Sequence, residues 1–432
     1  MRRIFELMML IIVFVTAAAA VCAQTLTAPM LEEGDGLEID KLQEYRGMAW
    51  DAWAESMASE EALQIEDDIY AFSYDDVAMR FTVQIFGETP EDGYPLYIAL
   101  HGGGYDDTGE TNDSQWEDMQ TYYTEYLENA VYVAVRGIRD TWDTHFNPES
   151  YPLYDRLIED MILNAYVDPN RVYLTGFSAG GDGVYAVGAR MADRFAAVNM
   201  SSGHPNGISM VNFYHLPIQL QAGEYDTDYD RNTVTAEYGM LLDELQSEYP
   251  DGYEHRTLIH RDRGHNYEDY DREPVEVYSD IYGYLSGENT GTEQVNSYAP
   301  DWLDDHVRNP LPESIRWDLG TRADLRETDA FYYLSADKDT QGLIQVYRDS
   351  NFILLAPEDL DGDFKIYFNE DMIDFSQPVH FEIADRGELD VMLIPEESWL
   401  TFTTFDRGDP NYQFEAAVSY SWLLENMVMA VP

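Results

Sequence analysis

A serine stands at position 178 in Gly176-Phe177-Ser178-Ala179-Gly180-Gly181, a Gly-x-Ser-x-Gly pattern with one more glycine behind it. A serine hydroxyl is a poor nucleophile alone. It needs a base, an acid to orient that base, and donors for the oxyanion it creates. Each has a candidate in this chain. His101-Gly102-Gly103-Gly104 lies upstream, and N–H groups of such a glycine loop can meet the Ala179 N–H on a substrate oxygen. Downstream, Glu224-Tyr225-Asp226 offers an acid, with Asp228 and Glu224 in reserve. Arg263-Gly264-His265 offers a base 39 residues after Asp226. We assign Ser178 as nucleophile, His265 as base and Asp226 as orienting acid, with Gly103, Gly104 and Ala179 around the oxyanion. His255 and His260 compete as bases, but they fall inside a strand-like run, on opposite faces by alternation.

Such groups work only if rigid elements bring them to one rim. Short apolar runs occur at Pro95–Leu100, Ala130–Val135, Arg171–Thr175, Phe195–Met200, Leu216–Gln221 and Tyr253–His260. Helical patterns at Tyr151–Asn164, Gly181–Ala192, Thr233–Glu248 and Pro274–Leu285 lie between or after them. Strands alternating with helices imply crossover connections and a mostly parallel sheet covered on both faces. Each candidate follows a strand, so all would gather at the sheet's carboxyl edge. The loop after Ala130–Val135 leaves the same edge, so Trp142 and Phe146, with His101, are candidates to line a substrate cleft. Gly203-His204-Pro205-Asn206 follows another strand end.

A helix over about Ile39–Leu63 and strands at Ile69–Ser73 and Met79–Phe86 come first, with Asp75-Asp76 at the turn between the strands. Beyond about Leu285 the helical patterns stop. A polar linker, Gly287–Thr292, leads to strand-like segments at Thr340–Val346, Phe352–Leu355, Phe364–Phe368, Val379–Ile383 and Leu389–Ile394. These read as a small antiparallel β domain, sandwich-like. The expected division is a signal peptide at 1–23, a helix and leading strands at 24–90, a catalytic unit at 91–290 and a β domain at 291–432.

HGGG at 101–104, GFSAGG at 176–181, AGEYD at 222–226 and RGH at 263–265 together resemble the α/β-hydrolase superfamily, over about Tyr94–Leu285. Within it the chain is similar to secreted esterases near polyhydroxybutyrate depolymerases and feruloyl esterases, and to prolyl-oligopeptidase-like hydrolases. The resemblance implies an α/β-hydrolase fold and a carboxylic ester substrate, small or polymeric, cleaved through an acyl-enzyme without cofactor or metal. A peptide bond is the second substrate. A non-catalytic binding protein on the same fold is the alternative of another class.

Composition bounds the rest. The chain has 432 residues, 45% of them hydrophobic, enough for a sizeable core. Its 83 acidic residues against 25 basic ones give a formal net charge of −58, and repulsion excludes nucleic acid as a partner. The acids are spread along the chain, which suits a carboxylate-covered surface in high salt and a salt-loving source. Asp359-x-Asp361-Gly362-Asp363 hints at a calcium loop, but Phe364 stands where a calcium loop needs glycine, so a β-turn is expected. At the N-terminus Arg2 and Arg3 precede an apolar run, Leu7–Val15, and small residues to Val21-Cys22-Ala23. This reads as a signal peptide cut after Ala23, too short to span a bilayer. The mature protein is then periplasmic or extracellular, with no stable membrane insertion. Lipidation at Cys22 is the alternative. Cys22 is the only cysteine, so the mature chain has no disulfide or thiol chemistry.

Overall fold

The computed structural model describes residues 42–57, 62–66, 68–288, 291–320, 330–393, 403–404 and 408–429. The expected signal segment, with Cys22, lies outside the described residues.

Eleven strands form one sheet: β1 (Leu63–Glu66), β2 (Ile69–Tyr74), β3 (Val77–Ile85), β4 (Tyr94–Leu100), β5 (Val131–Arg136), β6 (Val167–Phe177), β7 (Ala197–Ser201), β8 (Ile218–Gly223), β9 (His255–His260), β10 (Val275–Tyr278) and β11 (Thr292–Val295). Their order is β1-β2-β3-β5-β4-β6-β7-β8-β9-β10-β11. The stretch from β5 to β9 is parallel. Antiparallel strands extend it at both edges. The leading strands are thus one edge of the same sheet.

The parallel strands read as unbroken apolar runs because both faces are covered. Alternate residues of β4 show it. Leu96, Ile98 and Leu100 join one core with helices α3 (Ser150–Asn164) and α4 (Ala179–Arg190), through Leu157, Ile158, Val184 and Val187. Tyr97 and Ala99 join another with α2 (Glu110–Met119) and α7 (Ala299–Asp304), through Trp116, Met119 and Leu303. The remaining helices are α1 (Leu42–Met57), α5 (Arg231–Glu248), α6 (Ile281–Ser286) and α8 (Tyr420–Asn426).

Four expectations need correction. Pro274–Leu285 is not one helix. Val275–Tyr278 pairs with β9 and β11 as a strand, and Asp280 then caps α6, its Oδ1 accepting the Gly283 N–H at 3.0 Å. The polar linker is short, because Thr292 already belongs to β11. Helices do not stop at Leu285, since α7 and α8 follow. The C-terminal half is also not wholly antiparallel. It holds a seven-stranded and a four-stranded sheet, and Phe352–Leu355 runs parallel to Val379–Ile383. Parallel neighbours need a crossover connection, and here Phe364–Phe368 lies between them in sequence but in the other sheet.

The two halves share one core, in which Ile315 and Trp317 cluster with Phe213 and Leu216. A buried ionic joint adds to it. Arg308 pairs with Asp409 and donates through Nη1 to the Asp193 carbonyl at 2.6 Å and through Nη2 to Asn170 Oδ1 at 3.0 Å. Arg194, directly beyond α4, pairs with Asp155 at 2.7 Å.

Candidate active site

Strand β6 ends at Phe177 and helix α4 starts at Ala179, which leaves Ser178 alone on the turn at φ 59°, ψ −119°. Positive φ is strained for a residue with a Cβ and is kept only where its surroundings enforce it. They do so here. A Cβ on Gly176 would sit 2.2 Å from the Gly180 carbonyl oxygen, and one on Gly180 would sit 2.1 Å from that of Leu100. Both glycines of the motif are therefore required by close approach. The Ser178 N–H donates to the Ser201 carbonyl at 2.9 Å, tying the turn to β7. Its hydroxyl makes no cap for the helix and instead meets His265 Nε2 at 3.0 Å.

His265 Nδ1 lies 2.9 Å from Asp226 Oδ2. An ionised carboxylate only accepts, so Nδ1 carries the proton and Nε2 is left to accept from the serine. Asp226 is 2% exposed, and its carbonyl accepts the Asn232 N–H from the start of α5 at 3.0 Å. The alternatives are engaged elsewhere. His260 is buried, bonds Gln221 Oε1 at 2.9 Å, and burial pushes its pKa down to about 3. His255 faces Asp243. Glu224 accepts from the Tyr278 hydroxyl at 2.7 Å, and Asp228 is exposed.

The glycine loop lies beside the serine, since a Cβ on Gly102 would be 3.3 Å from that of Ser178. The N–H groups of Gly103 and Ala179 have no partner among the described residues. Gly104 differs from expectation. Its N–H already donates to Asn112 Oδ1 at 2.8 Å, so it is not free for an oxyanion. His101 is a second correction. It is fully buried and lines no cleft. Its Nδ1 bonds the Gly102 carbonyl, its Nε2 accepts the Gly137 N–H at 3.1 Å, and burial lowers its pKa to about 3. His145, also buried, donates from Nε2 to the His101 carbonyl at 2.8 Å. The two neutral imidazoles brace the loop. Trp142 is 59% exposed, edge-on to half-buried Phe146, and its Cα would be 3.9 Å from a Cβ on Gly104. Both therefore stand by the glycine loop.

Sequence reasoning missed Asn112, His145 and Asp269. Asn112 and Asp269 carry faint signals. Asn112, Trp116 and Met119 are the buried residues of α2, at i, i+4 and i+7, so a polar residue occupies an apolar stripe. Asp269 lies four residues past His265. It is buried, and accepts from the hydroxyls of Tyr122 at 2.9 Å, Tyr123 at 2.8 Å and Ser201 at 2.6 Å. Burial raises its pKa. With Ser202, whose hydroxyl donates to the His265 carbonyl at 2.9 Å, it anchors the histidine loop. No group of three or more His, Cys, Asp or Glu among the described residues is placed to hold a metal ion.

The glycine loop follows β4, the serine β6, the acid β8 and the histidine β9, within the parallel run β4-β6-β7-β8-β9 that has helices on both faces. This is the α/β-hydrolase fold. No family model matches the chain. The bifunctional acetylxylan esterase/xylanase XynS20E of Neocallimastix patriciarum is 30% identical over 115 residues, covering 26% of this chain and 16% of that protein. The "Probable feruloyl esterase C" of Aspergillus terreus is 30% identical over 113 residues, covering 26% of this chain and 40% of that protein. The matches thus span less than half of either relative. Among solved structures, this chain is similar to LpqC, a poly(3-hydroxybutyrate) depolymerase from Bordetella parapertussis. The likeness is 15% identical with a TM-score of 0.40, over 58% of this chain and 98% of that one.

Proposed function

We propose that this α/β-hydrolase is an exported carboxylic ester hydrolase working through an acyl-enzyme. The observation that carries the reading is the continuous chain Ser178 Oγ–His265–Asp226, with links of 3.0 and 2.9 Å. In this reading Ser178 Oγ attacks the acyl carbonyl while His265 Nε2 takes its proton. Asp226 stabilises the resulting imidazolium. The N–H groups of Gly103 and Ala179 receive the oxyanion, and the start of α4 adds its positive dipole end. His265 then protonates the departing alcohol. Water, deprotonated by His265, releases the acid.

The substrate class we favour is an acylated polysaccharide. Support comes from the relative named as an acetylxylan esterase and from exposed rings at the sheet's carboxyl edge. Tyr105, Trp142, Tyr225, Tyr229 and Tyr270 are all exposed, on the loops after β4, β5, β8 and β9. Tyr229 stays exposed despite a φ of 58°, stacked under the Arg231 guanidinium at 4.9 Å. Flat sugar faces stack on such rings. Export rests on the leading segment. Among the described residues no helix is long and apolar enough to cross a membrane.

The test is labelling of the purified mature protein with a fluorophosphonate probe, followed by a panel of acetyl, aryl and polysaccharide esters and peptide anilides at low and high salt. Labelling that survives Ser178→Ala, or turnover of anilides alone, sinks the ester reading.

A further inference from the structure

We propose that Asn112 is a positioning residue that holds the oxyanion loop in its working shape. The proposal rests on the ester-hydrolase reading above and deepens it.

Three consecutive glycines, Gly102 to Gly104, give the loop more backbone freedom than any other sequence would. An oxyanion hole lowers a barrier only if its donors are already aimed, because reorganisation at the moment of reaction is what it avoids. Something outside the loop must therefore fix it. Gly103 and Gly104 sit at φ 119° and 129°, values that side chains rarely adopt. A trans peptide is a rigid plane whose C=O and N–H point opposite ways. His101 Nδ1 holds the Gly102 carbonyl, and so aims the Gly103 N–H that shares its plane. The next two planes are those on either side of Gly104, and Asn112 holds both.

Asn112 Oδ1 accepts the Gly104 N–H at 2.8 Å, and Nδ2 donates to the Gly104 carbonyl at 2.7 Å. One side-chain amide thus pairs with both backbone groups of one residue, as a neighbouring strand would. The second Nδ2 proton goes to Asp140 Oδ1 at 2.7 Å. Asp140 in turn takes Arg136 Nη2 at 2.5 Å, and Arg136 Nε reaches Asp113 at 2.9 Å. The clamp therefore ties the loop after β4 to the loop after β5 and to α2. Fit is close, since a Cβ on Gly103 would lie 2.1 Å from Asn112 Oδ1. The amide is fully buried, so water offers no replacement. The division of labour follows. Gly104 is engaged by the clamp, and Gly103 is left to face the substrate.

The experiment compares Asn112→Ala with wild type on a small ester, with active sites counted by burst titration. The expected result is kcat per titrated site lowered about 10- to 100-fold with KM within about twofold, less than deletion of a direct donor brings. Affinity for a trifluoromethyl ketone, whose adduct carries the oxyanion, should fall by the same factor as kcat/KM. Asp140→Asn keeps the Gly104 bonds and should give a smaller loss of the same kind, and it serves if Asn112→Ala does not fold. A folded Asn112→Ala with unchanged kcat per site, or with unchanged ketone affinity, overturns the proposal. A purely structural role would lower only the number of titratable sites. Failure of the ester reading itself looks different: wild type would then turn over no ester.

Discussion

At the Ser178 turn the N–H groups of Gly103 and Ala179 are left without partners among the described residues, and Ser178 is held at a φ of 59°. At the joint between the large sheet and the β-rich half the pattern is reversed. Arg308 engages Asp409, Asp193 and the half-buried Asn170, and Arg194 engages Asp155, with both guanidiniums buried. The two regions lie at opposite ends of one helix. Ser178 precedes α4, and Asp193 and Arg194 follow it. The contrast teaches that strain and unmet donors at one end are tolerable because charge pairing fixes the other. A site must leave groups for its substrate, whereas a joint draws its charges into pairs.

The comparison breaks most sharply at the serine. Ser178→Ala should lower kcat by at least about 10⁴-fold but keeps the Cβ and so the strain, whereas Ser178→Gly should abolish activity and leave the melting temperature the same or higher, because glycine tolerates positive φ. A drop in melting temperature would show that the turn is not strained as described. The joint should respond the opposite way. Asp409→Ala leaves Arg308 buried without its carboxylate and should cost about 3–5 kcal/mol in urea unfolding, with kcat per titrated site of the folded protein little changed. A fall in kcat larger than about threefold would mean that the joint shapes the chemistry directly.

Acid should loosen the site end in particular. Burial holds the pKa of His101 and His260 at about 3 and that of His145 well below the usual value. In the unfolded chain these groups titrate near 6.5. Between those values the unfolded state binds more protons, so their contribution is present above about pH 6.5 and is lost as pH falls toward 3. Each adds a slope of up to about 1.4 kcal/mol per pH unit. Asp182 and Asp269, whose pKa values burial raises, oppose this in the acid part of the window. Urea melts from pH 4 to 7 should show the loss, and His260→Gln should remove about one proton from it. An unchanged slope in that variant would refute the assignment. The smallest effect is expected at the rim. Trp142→Ala and Tyr229→Ala should each lower kcat/KM on a polymeric ester about three- to tenfold, as loss of a stacking contact does, and leave a small ester unaffected. Equal losses on both would argue against a platform.

The Ser178–His265–Asp226 arrangement was legible because the chemistry proposed for it dictates both residue type and place. A serine between glycines after a strand, then an acid, then a histidine, each at a strand end, can be written only a few ways. What escaped reading obeyed no such pattern. Helix α2, ETNDSQWEDM, has so few apolar residues that its buried stripe leaves only a faint sign of Asn112 and none of its hold on Gly104. His101 looked like a cleft residue because the sequence cannot say which way a loop imidazole turns, and burial decided it. Strand β10 hid in Pro274–Leu285 because VEVYSDIYGYL has apolar residues at both spacings. The joint pairs Arg308 with Asp409 at a sequence separation of 101, with no local sign of pairing.

That long reach has a consequence for how the protein is made. A chain leaves the ribosome N-terminus first. The Asp193 carbonyl must therefore wait for Arg308, 115 residues later, and for the Tyr412 hydroxyl, 219 residues later. By residue 295 every strand of the large sheet has been synthesised, and the triad with them. At that point Arg194 already has Asp155, whereas the Asp193 carbonyl still awaits both of those later groups. A chain cut short between residues 295 and 308 would carry Ser178, Asp226 and His265 without Arg308 or Asp409 to close the joint.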